Sequence, residues 1–111
     1  MPDDHDPFLL EILKNGFDTI ADQMALTLLR TAYSSIVRDT MDFSTAVCDA
    51  QGRTLAQGLT VPQQLGSFYD AMLCLLERFE GRIDQGDVFI LNDPYDSAGQ
   101  HLPDIYIIKP I

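Results

Sequence analysis

Between Leu91 and Ile105 the chain reads Asn92-Asp93-Pro94-Tyr95-Asp96-Ser97-Ala98-Gly99-Gln100-His101-Leu102-Pro103-Asp104. This stretch gathers three carboxylates, two amides, a hydroxyl, a phenol and His101, the one imidazole besides the N-terminal His5. His101 and Asp104 stand three apart, separated by Leu-Pro. Pro103 restricts its own φ and biases Leu102 towards extended geometry, so the pair does not face one another as on a helical turn. In a bent loop the two side chains can still converge. A neutral imidazole with a carboxylate is a mixed N/O donor pair suited to Zn, Mn or Fe rather than Ca or Mg. Two donors do not complete a site, since three or four protein ligands are usual. Asp93, Asp96 or a residue from elsewhere would have to join. The plainer reading is that Asn-Asp-Pro opens a turn and His101 is a hydrogen-bonded surface group. Composition by itself favours that second reading.

The elements on either side must position this loop. Asp87-Val-Phe-Ile-Leu-Asn92 leads in and Ile105-Tyr-Ile-Ile leads out. Both runs are short, β-branched or aromatic and bounded by Gly or Pro, which predicts buried strands. A ligand-rich loop held between strands is where binding and catalysis tend to sit. Upstream, Asp6 as cap and Pro7 in the first turn predict a long helix from residue 7 to about 36. Its apolar positions Phe8, Leu9, Ile12, Leu13, Phe17, Ile20, Met24, Leu28, Leu29 and Ala32 follow the 3-and-4 spacing of one buried face. That stripe is wide enough to pack against more than one element. Gly16 weakens the helix by roughly 1 kcal/mol relative to Ala. Asp42 to Asp49 predicts a strand, Ala50-Gln51-Gly52 a turn and Arg53 to Gly58 the returning strand of a β-hairpin. A loop over residues 60–66 follows. Ser67 with Asp70 then resembles a capping box for a second helix ending near Phe79, with Gly81 as its stop. The expected fold class is α+β: long N-terminal helix, β-hairpin, second helix, then strands flanking the ligand-rich loop.

Bulk properties narrow the function classes. A chain of 111 residues is enough for one small domain and not two. The net charge is −10, with no basic patch to neutralise phosphates, which argues against a nucleic-acid partner and against an anionic membrane surface. The N-terminus is acidic and lacks the basic and apolar regions of a signal peptide, and no apolar run approaches the ~20 residues of a membrane span. A cytoplasmic protein is expected. Cys48 and Cys74 each sit in an apolar stretch outside any Cys-x-x-Cys, which reads as two reduced core cysteines. Neither Gly-x-x-x-x-Gly-Lys-Ser/Thr nor Gly-x-Gly-x-x-Gly occurs, so no nucleotide site is visible.

The order Gly-Asp-Val-Phe-Ile-Leu-Asn-Asp-Pro-Tyr95, then Gly-x-His-Leu-Pro-Asp-Ile105, resembles the hydantoinase B family. So do Leu29-Arg-Thr-Ala-Tyr-Ser34, Asp42-Phe-Ser44, Asp49-Ala-Gln-Gly-Arg53 and Leu65-Gly-Ser67. The resemblance spans roughly residues 6 to 110 and favours the metal reading of the loop. It implies that residues 1–111 are the N-terminal segment of a longer hydantoinase B-type domain. The family includes B-type subunits of ATP-dependent hydantoinases, 5-oxoprolinase, caprolactamase-like enzymes and acetone and acetophenone carboxylases. The implied function is ATP-dependent opening of a cyclic amide such as a hydantoin, oxoproline or lactam. The alternatives are a carboxylase subunit for a small ketone, or a non-catalytic assembly or binding fragment. Carried over by position, the resemblance nominates Asp42, His101 and Asp104 as ligands of a divalent transition metal (Zn, Mn or Fe), with a further histidine expected downstream. It identifies no catalytic residue. It places ATP and Mg on an A-type partner subunit, so a hetero-oligomer acting on a small cyclic amide is expected, and the chain alone should be inactive. Two departures stand out: Gln64 where family members commonly carry a histidine, and Ala98-Gly99-Gln100 where Gly-Gly-Thr is common.

Overall fold

Asp6 begins the first helix. Its Oδ1 accepts the Phe8 N–H at 2.9 Å and Pro7 fills the first helical position, where a missing N–H costs nothing. In the computed structural model, which describes residues 5–60, 65–96 and 101–111, helix α1 (Pro7–Thr31) runs 25 residues from that cap. It ends five residues earlier than the periodicity suggests. Ala32 turns to extended geometry (ψ 136°), and its N–H still closes on the Leu28 carbonyl at 2.9 Å. The hydroxyl of Thr31 donates back to the Thr27 carbonyl, and Tyr33-Ser34-Ser35 follow. Serine hydroxyls and β-branched side chains compete with helix continuation, and serine favours cap positions. Ser34 accordingly flanks a new short helix, α2 (Ser35–Thr40). α2 stops at Met41, which takes the left-handed conformation (φ 54°, ψ 35°), with the Asp42 N–H returning to the Ile36 carbonyl.

A hairpin follows. β1 (Ala46–Cys48) pairs antiparallel with β2 (Thr54–Gln57) in the register Ala46↔Gln57, Val47↔Ala56, Cys48↔Thr54, with an irregularity after Val47. β1 is shorter than the run from Asp42, and Asp42 precedes it in the turn that leaves α2. Gly52 has φ +84°, as the turn reading requires, and a Cβ there would lie 2.9 Å from Met72 Cβ. Helix α3 (Leu65–Arg78) comes next, with Gly81 at φ +70° terminating the turn that follows it. β3 (Phe89–Leu91) and β4 (Tyr106–Ile108) close the order as an antiparallel pair, Phe89↔Ile108, Ile90↔Ile107, Leu91↔Tyr106. The mixed content is the α+β class read from the sequence.

The chain divides into two compact units. The first holds α1, α2 and the hairpin strands; the second holds the turn Ala50–Arg53, α3, β3 and β4. In the first, the hairpin base docks on the middle of α1 through small residues. Ala21 and Ala25 are buried there with Phe43 and Ala56. Thr45 Oγ1 donates to the Ala21 carbonyl at 2.9 Å, and the Leu59 N–H donates to Asp22 Oδ1 at 2.9 Å. Gly58 fits only because it has no side chain: a Cβ would press on Thr45 Oγ1 and stand 2.8 Å from the Ala21 carbonyl oxygen. The large apolar residues expected to form the buried face of α1 are exposed instead, Phe8 at 78% and Ile12 at 66%. A helix of about 37 Å is met by a hairpin that covers only its middle turns. Close backbone approach selects alanines there, and the bulky stripe stays uncovered.

In the second unit Ser67, Ala71 and Leu75 form the buried stripe of α3. Ser67 is therefore inside the helix, not at its cap: its hydroxyl shares a hydrogen bond with the Tyr106 hydroxyl. Tyr106 sits edge-on to Phe68, centroids 5.8 Å apart, and Phe79 meets Phe89 at 4.8 Å. β3 and β4 are not buried on both faces. Tyr106 points inward, while the cross-strand partners Ile90 and Ile107 are exposed. An antiparallel pair buries one face readily, and no third described layer covers the other. Cys48 and Cys74 are free and half-buried. No helix among the described residues is long and apolar enough to cross a membrane.

Candidate functional site

The strand pair β3–β4 carries the ligand-rich loop at one end. Asp93 opens it as a turn cap: its Oδ1 accepts the N–H of Tyr95 at 2.8 Å and of Asp96 at 3.3 Å. This is the Asx arrangement that Asn-Asp-Pro favours. Asp96 reaches Arg78 on α3 at 3.5 Å, an exposed pair of little energetic weight. Ser97 to Gln100 lie outside the described residues, as does Gln64, so both departures from the family pattern fall outside them.

At the other end of the loop His101 and Asp104 lock into one turn. The His101 N–H donates to Asp104 Oδ2 at 3.0 Å, and the Asp104 N–H donates to the His101 carbonyl at 3.0 Å. Pro103, between them, has no N–H to compete. The carboxylate thus bonds the backbone of His101 rather than its ring. Oδ1 of Asp104 and the exposed imidazole make no hydrogen bond among the described residues. Asn92, which follows β3, ties the turn to the sheet: its Nδ2 donates to the Leu102 carbonyl at 3.2 Å and the Asp104 carbonyl at 2.8 Å.

The structure therefore brings His101 and Asp104 together and leaves Asp42 in the other compact unit, exposed, directly after the left-handed Met41. Among the described residues no group of three His, Cys, Asp or Glu side chains is placed to hold a metal ion. The donor chemistry of the His101–Asp104 turn nonetheless fits a borderline metal: one imidazole and one carboxylate oxygen lie on a pinned turn. Beside the loop, Cys74, Arg78, Phe79, Phe89, Asn92 and Asp96 line part of a cleft of about 460 Å³. Sequence reasoning assigned no role to Asn92 or Arg78. An amide at a strand end, just before Asp-Pro, was the available signal for Asn92.

The hydantoinase B/oxoprolinase family profile matches residues 6–111. The chain is 41% identical over 107 residues to 5-oxoprolinase of Saccharomyces cerevisiae, covering 96% of this chain and 8% of that protein. It is 35% identical over 106 residues to caprolactamase subunit beta of Pseudomonas jessenii, covering 96% of this chain and 18% of that one. An uncharacterized protein of Methanocaldococcus jannaschii is 38% identical over 109 residues, 96% of this chain and 19% of its own length. The chain thus spans less than a fifth of these relatives. No solved structure matches it significantly. From end to end of its described elements, the chain belongs to the hydantoinase B/oxoprolinase family.

Proposed function

We propose that this chain is part of an ATP-dependent hydrolase that opens cyclic amides, and that His101 and Asp104 help to hold its divalent transition metal. The reading rests on the reciprocal turn in which Asp104 Oδ2 and the His101 carbonyl each take a backbone N–H, which fixes the turn without using the imidazole or Oδ1. Relatives named 5-oxoprolinase and caprolactamase support the substrate class, because both names denote lactams. The name caprolactamase subunit beta supports assembly with another subunit. In this reading ATP and Mg are handled by an A-type partner or domain, since the chain has no phosphate-cradling glycine loop.

The residues of this chain have distinct tasks in that reading. Asp104 supplies anionic charge and spends one oxygen on the His101 N–H. His101 offers a ring nitrogen at the loop surface. Asp93 shapes the opening turn. When bound, the metal would supply Lewis-acid polarisation of a carbonyl, worth several kcal/mol. His101→Ala in the complete enzyme with its partner should lower metal content and lactam hydrolysis together. Unchanged metal content and turnover in that variant would refute the reading.

A further inference from the structure

We propose that Asn92 is a positioning residue for the His101–Asp104 donor pair, an inference that rests on the metal reading above. Asn92 touches neither donor group. Its single amide nitrogen donates to the Leu102 carbonyl at 3.2 Å and to the Asp104 carbonyl at 2.8 Å. These carbonyls bracket Pro103, the stiffest residue in the turn. One side chain thus grips both sides of the rigid segment and clamps it to the end of β3.

The internal bonds of the turn, His101 N–H to Asp104 Oδ2 and Asp104 N–H to the His101 carbonyl, fix its shape but not its place. Placement comes from the covalent run into β4 at Tyr106 and, across the loop, from Asn92. Without that clamp the turn pivots about the residues before β4. Fixing donors ahead of binding removes ordering entropy that the metal would otherwise have to overcome. Groups that brace ligands in this way typically alter metal affinity tenfold or more without being ligands themselves.

The test compares Asn92→Leu, which matches the side chain in size and removes both donors, with Asn92→Ala and with His101→Ala as reference. It uses the full polypeptide carrying this sequence, together with its partner, stripped of metal and titrated with Co²⁺. Asn92→Leu and Asn92→Ala should weaken Co²⁺ binding about tenfold, change the visible Co²⁺ spectrum and speed amide exchange in the peptide containing His101 and Asp104. Thermal unfolding of the metal-free protein should shift little. If His101→Ala binds Co²⁺ poorly while both Asn92 variants keep wild-type affinity and spectrum, the positioning role is overturned and the metal reading stands. If His101→Ala itself binds Co²⁺ as wild type does, the metal reading fails and takes this inference with it. Should Asn92→Leu not fold, Asn92→Ser, smaller and still polar, carries the same comparison.

Discussion

Ser67 and Tyr106 meet hydroxyl to hydroxyl inside the second unit, 39 positions apart in sequence, each less than a tenth exposed. The bond joins the buried stripe of α3 to the inner face of β4, the strand that receives the candidate loop. Ser67→Ala leaves the Tyr106 hydroxyl buried without this partner, which costs about 1–3 kcal/mol. The melting temperature should fall, and the double variant Ser67→Ala/Tyr106→Phe should lose less than the two single losses added. Strict additivity would show that the two hydroxyls are not coupled.

Gly58 stands where the hairpin touches α1, and its missing Cβ is what lets Thr45 reach the Ala21 carbonyl. Gly58→Ala forces a backbone contact apart and should destabilise by about 1–3 kcal/mol. Denaturant unfolding checks the size, and a neutral result would show that the hairpin base can shift away freely.

Asp104 locks the turn through Oδ2, and in the function proposed above it also supplies charge to a metal; substitution can separate the two. Asp104→Asn keeps a side-chain oxygen for the His101 N–H but removes the charge; Asp104→Ala removes both. Metal content should drop in both variants. Amide exchange at His101 should quicken mainly in Asp104→Ala, by the fold expected from losing roughly 1 kcal/mol. Equal exchange in the two variants would contradict the turn-locking role.

Burial pushes the Cys48 thiol above its ordinary value, Asp49 adds a smaller upward push, and the hydrogen bond with Thr54 opposes them. The folded chain therefore holds the thiol proton more tightly than the unfolded chain does. The associated stability is fully present below the ordinary thiol pKa and is lost as pH rises through the elevated folded value. Alkylation of Cys48 at about pH 8 should lag behind that of a free thiol, because the thiolate is the nucleophile. Cys48→Ala should flatten the alkaline fall in stability. An alkylation rate equal to that of a free thiol would contradict the burial.

Phe8 and Ile12 leave a broad apolar stripe of α1 open. Patches of this kind drive association, so the isolated chain should scatter light as oligomers or aggregates. Ile12→Lys should reduce that scattering. A sharp monomer in the unsubstituted chain would argue that the stripe is tolerated in water.

Local chemistry was legible in the order of residues. Asp6-Pro7 announces the start of α1, Gly52 and Gly81 sit where the backbone needs positive φ, and Asp93 before Pro94 forms the turn that its type favours. The strands flanking the loop and the family membership were equally readable, since both rest on residue types at short, ordered spacings. Tertiary structure alone decided which surfaces meet. The 3.6-residue period marks an apolar stripe on α1 but cannot say which part of it is covered; Gly58 and Thr45 arrive from 24 or more residues away and choose Ala21. Ser67 matches a cap pattern, yet a tyrosine brought in on β4 takes its hydroxyl. Asp104 bonding to a backbone N–H instead of the imidazole, and Asn92 reaching across the loop, depend on where the chain returns. A period or a turn signal is a property of neighbours in sequence, whereas a partner is a property of chain return, and so the second emerges only once the fold has brought distant residues together.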